Sequence, residues 1–184
     1  MRAFWIRGWS TTSIRDLEDA LGLKAPSIYR RFGSKDGLTR AVVDHYVEHV
    51  VRFRIERYLS GSGDPIANLH AFFDSAVTTR AGAPLVGCLL TTISFEAQQL
   101  DPDSRRALDL GLDVIDRAIR TELDRAEAGG LLAEGVTVDD ATANLILAWH
   151  GLMVLARTGR SPANLQAMAR ATVESIAAVR RGAA

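Results

Sequence analysis

A single cysteine, Cys88, among 184 residues leaves no partner for an intramolecular disulfide and no multi-cysteine metal site, which fits a reducing cytoplasm. Long apolar runs are missing too. The stretch before Gly8 and Ser10 has no continuous apolar core, so no export signal is expected, and the run from Ala143 to Ala156 is broken by Asn144 and His150. A bilayer span needs about 20 apolar residues, so a membrane is not expected as a partner. There is no nucleophile elbow and no glycine-rich phosphate loop, and the His45/His49 pair lacks a third metal ligand. Catalytic, metal and cofactor sites are therefore not expected. No internal repeat or low-complexity segment appears. What the sequence does have, 47% hydrophobic and 24% charged residues, suits a globular chain with a real core.

Net charge is also absent, since 22 Lys+Arg balance 22 Asp+Glu. Spread evenly, that balance would argue against nucleic acid. It is not spread evenly: residues 1–58 hold 11 basic against 7 acidic residues, and the remaining 126 hold 11 against 15. From Lys24 to Arg40 the count is five basic to one acidic, a local field that attracts phosphate whatever the total.

That basic stretch overlaps the pattern of a helix-turn-helix between Thr12 and Leu38. Ile14, Leu17 and Leu21 recur at the spacing of one buried helical face. Thr12 and Ser13 stand where an N-cap is wanted, and Gly22 stops the helix between Leu21 and Leu23. Pro26 fits only a first helical turn, so a second helix is expected from near Lys24 to Phe32, burying Leu23, Ile28 and Phe32. Lys24, Ala25, Ser27, Tyr29 and Arg30 are left at its open end or outer face, a set suited to the major groove.

The rest of the chain reads as helix as well. Phe4 and Trp5 mark a first helix ending at Gly8. Ser34 caps a long helix whose face Leu38, Val42, Tyr46, Val50 and Phe53 continues to about Tyr58 and links head to body. Ser60 to Pro65 is a breaker cluster. Helices are expected from Ile66 to Arg80, from Gly87 to Leu100 after an Ala81–Pro84 loop, and from Asp101-Pro102 to Gly129-Gly130. Two more run from Val138 to Arg157, lined by Leu145, Trp149, Leu152, Met153 and Ala156, and from Pro162 to Arg181, lined by Leu165, Met168, Ala169, Thr172, Ile176 and Val179. The expected fold is all-α, with about nine helices divided into a head at residues 1–46 and a helical body at 47–184.

Trp9, Thr12-Ser13-Ile14-Arg15-Asp16-Leu17, Gly22-Leu23, Ser27-Ile28-Tyr29, Phe32 and Ser34-Lys35-Asp36 followed by Leu38 resemble, in order and spacing, the DNA-binding domain of TetR-family transcriptional regulators. The resemblance implies that Thr12, Tyr29 and Lys35 grip phosphates, and that Lys24, Ala25, Pro26, Ser27 and Arg30 face base edges or nearby backbone. Arg30, where relatives often carry histidine, could donate two bonds to guanine. Arg15 reads equally as a phosphate ligand or as a partner of Asp19. Lys24 replaces a common serine cap, and Glu18 a common small residue. The first helix is short for this family, so an upstream start or lost residues are expected.

The resemblance also implies a homodimer through the last two helices, though their apolar stripes could simply close the core, and a near-palindromic double-stranded DNA operator. It implies a small-molecule effector pocket, for which Phe73, Cys88, Leu89, Phe95, Trp149, His150 and Met153 are candidates, and a repressor released by that effector. Alternatives are an activator, a regulator switched by oxidation of Cys88, and a thiol hydrolase pairing Cys88 with His70, His150 or Glu96.

Overall fold

The structure is a computed structural model, and it describes residues 1–59, 61–78 and 85–178. Its regular structure is helical: α1 (Arg2–Arg7), α2 (Ile14–Leu21), α3 (Ala25–Phe32), α4 (Lys35–Tyr46), α5 (Arg52–Tyr58), α6 (Pro65–Val77), α7 (Leu89–Ser94), α8 (Pro102–Ala128), α9 (Val138–Ala156) and α10 (Pro162–Glu174). A π turn at Val47–Val51 joins α4 to α5 without a break, so nine separate helical stretches stand among the described residues. These include no strand, only an isolated bridge between Leu132 and Ala177. The chain divides into two compact units, the first made of Met1–Arg52 and Cys88–Val114, the second of Phe53–Gly87 and the residues from Ile115 onward.

In the first unit, side-chain caps set most helix starts. Ser13 caps α2 and Ser34 caps α4, where its hydroxyl accepts the Gly37 N–H at 2.9 Å. Gly22 ends α2 in the left-handed conformation at φ 64°. Phe4, Leu17, Ile28, Leu38, Val42, Val43 and Tyr46 are buried, and Trp5 meets Tyr46 edge-on at 5.0 Å. Leu21 and Leu23, expected inside, are instead exposed on either side of the Gly22 turn, because two eight-residue helices meeting across a tight turn bury only Leu17 and Ile28 fully.

The linking helix corrects its own sequence pattern. Leu38, Val42 and Tyr46 face inward, but the π turn adds a residue to the ladder, so Val51 rather than Val50 is buried and Phe53 stands exposed. The expected helix through Leu100 ends at Ser94, giving way to a turn and a 3₁₀ turn at Ala97–Gln99. α8 begins where Asp101 accepts the Ser104 N–H at 2.7 Å. The Ser104 hydroxyl donates to the Asp36 carbonyl at 2.9 Å, fastening α8 to the start of α4.

In the second unit α6, α9 and α10 pack together. Phe72 stacks on Trp149 at 4.7 Å, and Phe73 meets the same ring edge-on at 5.6 Å. Leu145, Trp149, Leu152, Met153, Ala156, Leu165, Ala169 and Ile176 are all buried within this unit, so these parts of the two stripes close its core, while Met168 of the α10 stripe is exposed. The other side of α9 and α10 carries Leu147, 73% exposed, with Ala143, Gly151, Ala167, Met168 and Ala171. Buried Glu122 gathers the Gly61 N–H, the Asn68 amide and the Arg125 guanidinium, tying down the turn after α5. α10 ends at Glu174, earlier than its pattern suggested, because the chain turns to pair Ala177 with Leu132. Ser60, the last residues of the expected helix to Arg80, the Ala81–Pro84 loop, Val179 and Arg181 lie outside the described residues.

Candidate nucleic-acid interface

The interface begins at the start of α2. Ser13 and Asp16 form a reciprocal capping box: the Ser13 hydroxyl accepts the Asp16 N–H at 3.2 Å, and the Asp16 carboxylate takes the Ser13 N–H at 2.8 Å. Asp16 also pairs with Arg7. These bonds, the Ser13 hydroxyl first, hold the Asp16 carboxyl below its ordinary range.

Ser13, not Thr12, is therefore the exposed hydroxyl at this helix end. Thr12 is fully buried and donates to the Gly8 carbonyl at 2.6 Å, so its side chain is a strut within the turn and does not face a phosphate. The sequence carried the signal in the Ser13-x-x-Asp16 spacing.

α3 starts at Ala25 with Lys24 as its N-cap, and the Lys24 side chain makes no cap bond. Glu18 takes over that role from α2, accepting the Ala25 N–H at 2.7 Å. The two departures from the family pattern thus compensate each other: lysine removes a cap and glutamate supplies one. α3 then exposes Lys24, Pro26, Tyr29 at 44% and Arg30, with Ala25 and Ser27 half-buried beside them. Arg15 is exposed and, among the described residues, has no ion-pair partner, so of its two readings the Asp19 pairing does not form. Lys35 lies over the Trp9 ring at 4.4 Å. Burial lowers the pKa of Lys35, while Glu96 and then Asp36 act in the opposite sense.

The pocket candidates divide between the units. Cys88 and Leu89 are buried in the first, where the Cys88 sulfur accepts from the Tyr46 hydroxyl at 3.6 Å. Phe95 is 72% exposed, because α7 has ended before it, and it lines no interior. Phe73, Trp149 and Met153 are buried in the second unit with His150 half-buried beside them, and burial lowers the His150 pKa. Among the described residues the buried Trp149 Nε1 meets no hydrogen-bond partner.

The thiol-enzyme pairing of Cys88 with Glu96 does not form, since the Glu96 carboxylate is committed to Ser10. His45 and His49 stack at 4.1 Å, and among the described residues no group of three or more potential ligands gathers for a metal. Among the described residues, too, no helix is long and apolar enough to cross a membrane.

A capped α2, a sharp left-handed turn and a short α3 exposing small, basic and hydroxyl side chains define a helix-turn-helix DNA-binding protein. Residues 1–42 match the family model described as bacterial regulatory proteins, tetR family, and residues 65–172 match the tetracyclin repressor-like C-terminal domain. The chain belongs to the TetR family and is a DNA-binding transcriptional regulator.

It is 28% identical over 182 residues to the HTH-type transcriptional repressor ComR of Escherichia coli (strain K12), covering 94% of this chain and 83% of that protein. Its fold matches a TetR-family regulator from Agrobacterium tumefaciens with TM-score 0.85 at 22% identity, over 96% of this chain and 92% of the other. A cysteine mutant of the TetR-family regulator CifR, solved with a 26-bp double-strand operator DNA, matches with TM-score 0.81 at 25% identity, over 95% and 91% of the two chains.

Proposed function

We propose that this regulator is a homodimeric repressor acting in the cytoplasm, with a DNA-binding head at residues 1–46 and a ligand-binding and dimerisation body at 47–184. Ser13, Arg15, Tyr29 and Lys35 hold phosphates, and Lys24, Ala25, Pro26, Ser27 and Arg30 face base edges or adjacent backbone. The observation that carries this reading is the α3 surface: its exposed side chains are basic, small or hydroxylic while Ile28 alone is fully buried. ComR, the similar repressor named above, and the DNA complex of CifR support the same direction of function.

Dimerisation through α9 and α10 is supported by the exposed face around Leu147 and Met168. Two copies related by a two-fold axis present their α3 helices to half-sites about one turn of DNA apart, which calls for a near-palindromic operator.

The effector is a small molecule with an apolar body and a hydrogen-bond acceptor, received beside Trp149. The unpaired Trp149 Nε1 supports this, since a buried donor left unmet costs about 1–3 kcal/mol and an acceptor recovers it. Release of DNA follows if the effector binds the DNA-incompetent arrangement more tightly than the competent one. A redox switch at Cys88 would need an oxidant to reach a sulfur that is 1% exposed, and equal DNA binding by oxidised wild type and Cys88→Ser removes that alternative.

The test is binding to the protein's own upstream intergenic DNA and to a scrambled duplex across a salt series. Clear preference for the upstream fragment is expected, with Tyr29→Phe weakening all sequences alike and Arg30→Ala also flattening preference at one base position. Uniform loss with Arg30→Ala removes its base-reading role. Leu147→Glu should give a monomer that binds DNA weakly; an intact dimer moves the interface elsewhere.

A further inference from the structure

We infer that Glu96 is a positioning residue for DNA binding: from the end of α7 its carboxylate fixes the Gly8–Ser13 turn that sets the start of α2 and the Trp9 face on which Lys35 rests. The Glu96 Oε2 accepts the Ser10 N–H at 2.7 Å and its Oε1 accepts the Ser10 hydroxyl at 3.0 Å. The other hydroxyls of the turn are engaged locally, Ser13 with Asp16. Thr11 donates to the Arg7 carbonyl and Thr12 to the Gly8 carbonyl, so the Ser10 N–H is the donor that an outside acceptor has to meet.

The fit is close. A Cβ placed on Gly8 would lie 3.0 Å from the Glu96 Oε1, so a side chain there would press on the carboxylate. The backbone carrying Glu96 is itself pinned, its N–H donating to the Ile93 carbonyl and its carbonyl accepting the Gln99 N–H, both at 2.9 Å. A side chain on a fixed backbone thus anchors the residue next to Trp9, and the Trp9 ring carries the Lys35 ammonium at 4.4 Å. One carboxylate just past the end of α7 thereby sets two elements of the DNA-facing surface, the Ser13 cap and Lys35.

The inference rests on the reading above that Lys35 and the start of α2 meet phosphates. The experiment uses the full chain and a duplex that the wild type selects from a random pool. Affinity across a salt series, the thermal midpoint and exchange of the Ser10 amide are measured for Glu96→Ala, Glu96→Gln and Lys35→Ala. Glu96→Ala is expected to lose about tenfold in affinity, the scale of one hydrogen-bonded anchor to a charged group. Its salt slope should be shallower by about one, as Lys35 leaves its phosphate, and its Ser10 amide should exchange faster. Glu96→Gln keeps an acceptor for Ser10 and should recover most of the affinity, the slope and the amide protection.

Wild-type affinity and slope in Glu96→Ala, with Lys35→Ala weakened, would overturn this inference alone. So would loss of binding that tracks a fallen thermal midpoint and is not rescued by glutamine, which would make Glu96 merely structural. A wild-type slope in Lys35→Ala, or a pool from which nothing is selected, would take down the DNA-contact reading and this inference with it.

Discussion

The Glu18 carboxylate accepts the Ala25 N–H at 2.7 Å, so the first helix of the helix-turn-helix caps the second. A side-chain acceptor at a helix start satisfies one orphan donor and places negative charge at the positive end of the dipole. Glu18→Ala is expected to lower stability by about 1 kcal/mol in a denaturant titration, with Glu18→Gln losing less because its amide oxygen still accepts. Equal stability of all three proteins would show that the cap is not felt.

Gly37 allows the end of α3 and the start of α4 to meet. A Cβ at that position would lie 1.9 Å from the Phe32 carbonyl oxygen, a backbone atom that cannot swing aside. Gly37→Ala should therefore destabilise by about 1–3 kcal/mol, as overpacking does. It should also impair DNA binding, because the shift displaces the end of α3. Gly22→Ala makes a useful contrast, having open space around it but a φ of 64°. Its cost should be conformational, about 1 kcal/mol.

Glu122 has no exposed surface and holds Arg125 at 2.5 Å, with further bonds from the Gly61 N–H and the Asn68 amide. Removing the buried carboxylate leaves the Gly61 N–H and the Asn68 amide without it, while the Arg125 guanidinium is 30% exposed and partly solvated, so Glu122→Ala should cost about 1–3 kcal/mol in a denaturant titration. Adding Arg125→Ala should cost less than the sum of the single changes, the mark of a shared network.

Burial lowers the pKa of His150 from its ordinary 6.5, so the folded state favours the neutral ring. Its contribution to stability is complete above that ordinary value. It is lost as the pH falls through 6.5 toward the lowered native value, where the folded protein must also take up the proton. The thermal midpoint of the wild type should fall on acidification across this window, and His150→Gln should flatten that slope. A slope unchanged by the substitution would assign the pH dependence to other groups.

Sequence periodicity and capping were enough for the helical order, because hydroxyl caps, glycine stops and apolar spacing are local properties of the chain. The helices at α2, α3, α4, α6, α8 and α9 were legible in this way, as were the Gly22 stop and the Ser34 cap. The basic residues from Lys24 to Arg40 and the motif around them pointed to DNA for the same reason: both are written in consecutive residues.

Tertiary structure alone decided what depends on partners far apart in the chain. The π turn moved burial from Val50 to Val51. Thr12 was drawn inside while Ser13 stayed at the surface, and Phe95 was turned outward by the early end of α7. Most of the apolar stripes of α9 and α10 went to the core, leaving Leu147 and Met168 outside. Glu18 and Glu96 looked in sequence like a departure from pattern and a candidate acid, yet each holds a backbone N–H, seven residues away for one and 86 for the other. A period of 3.6 residues tells which side chains share a face, but only packing chooses the face that is buried and the donor that a carboxylate meets.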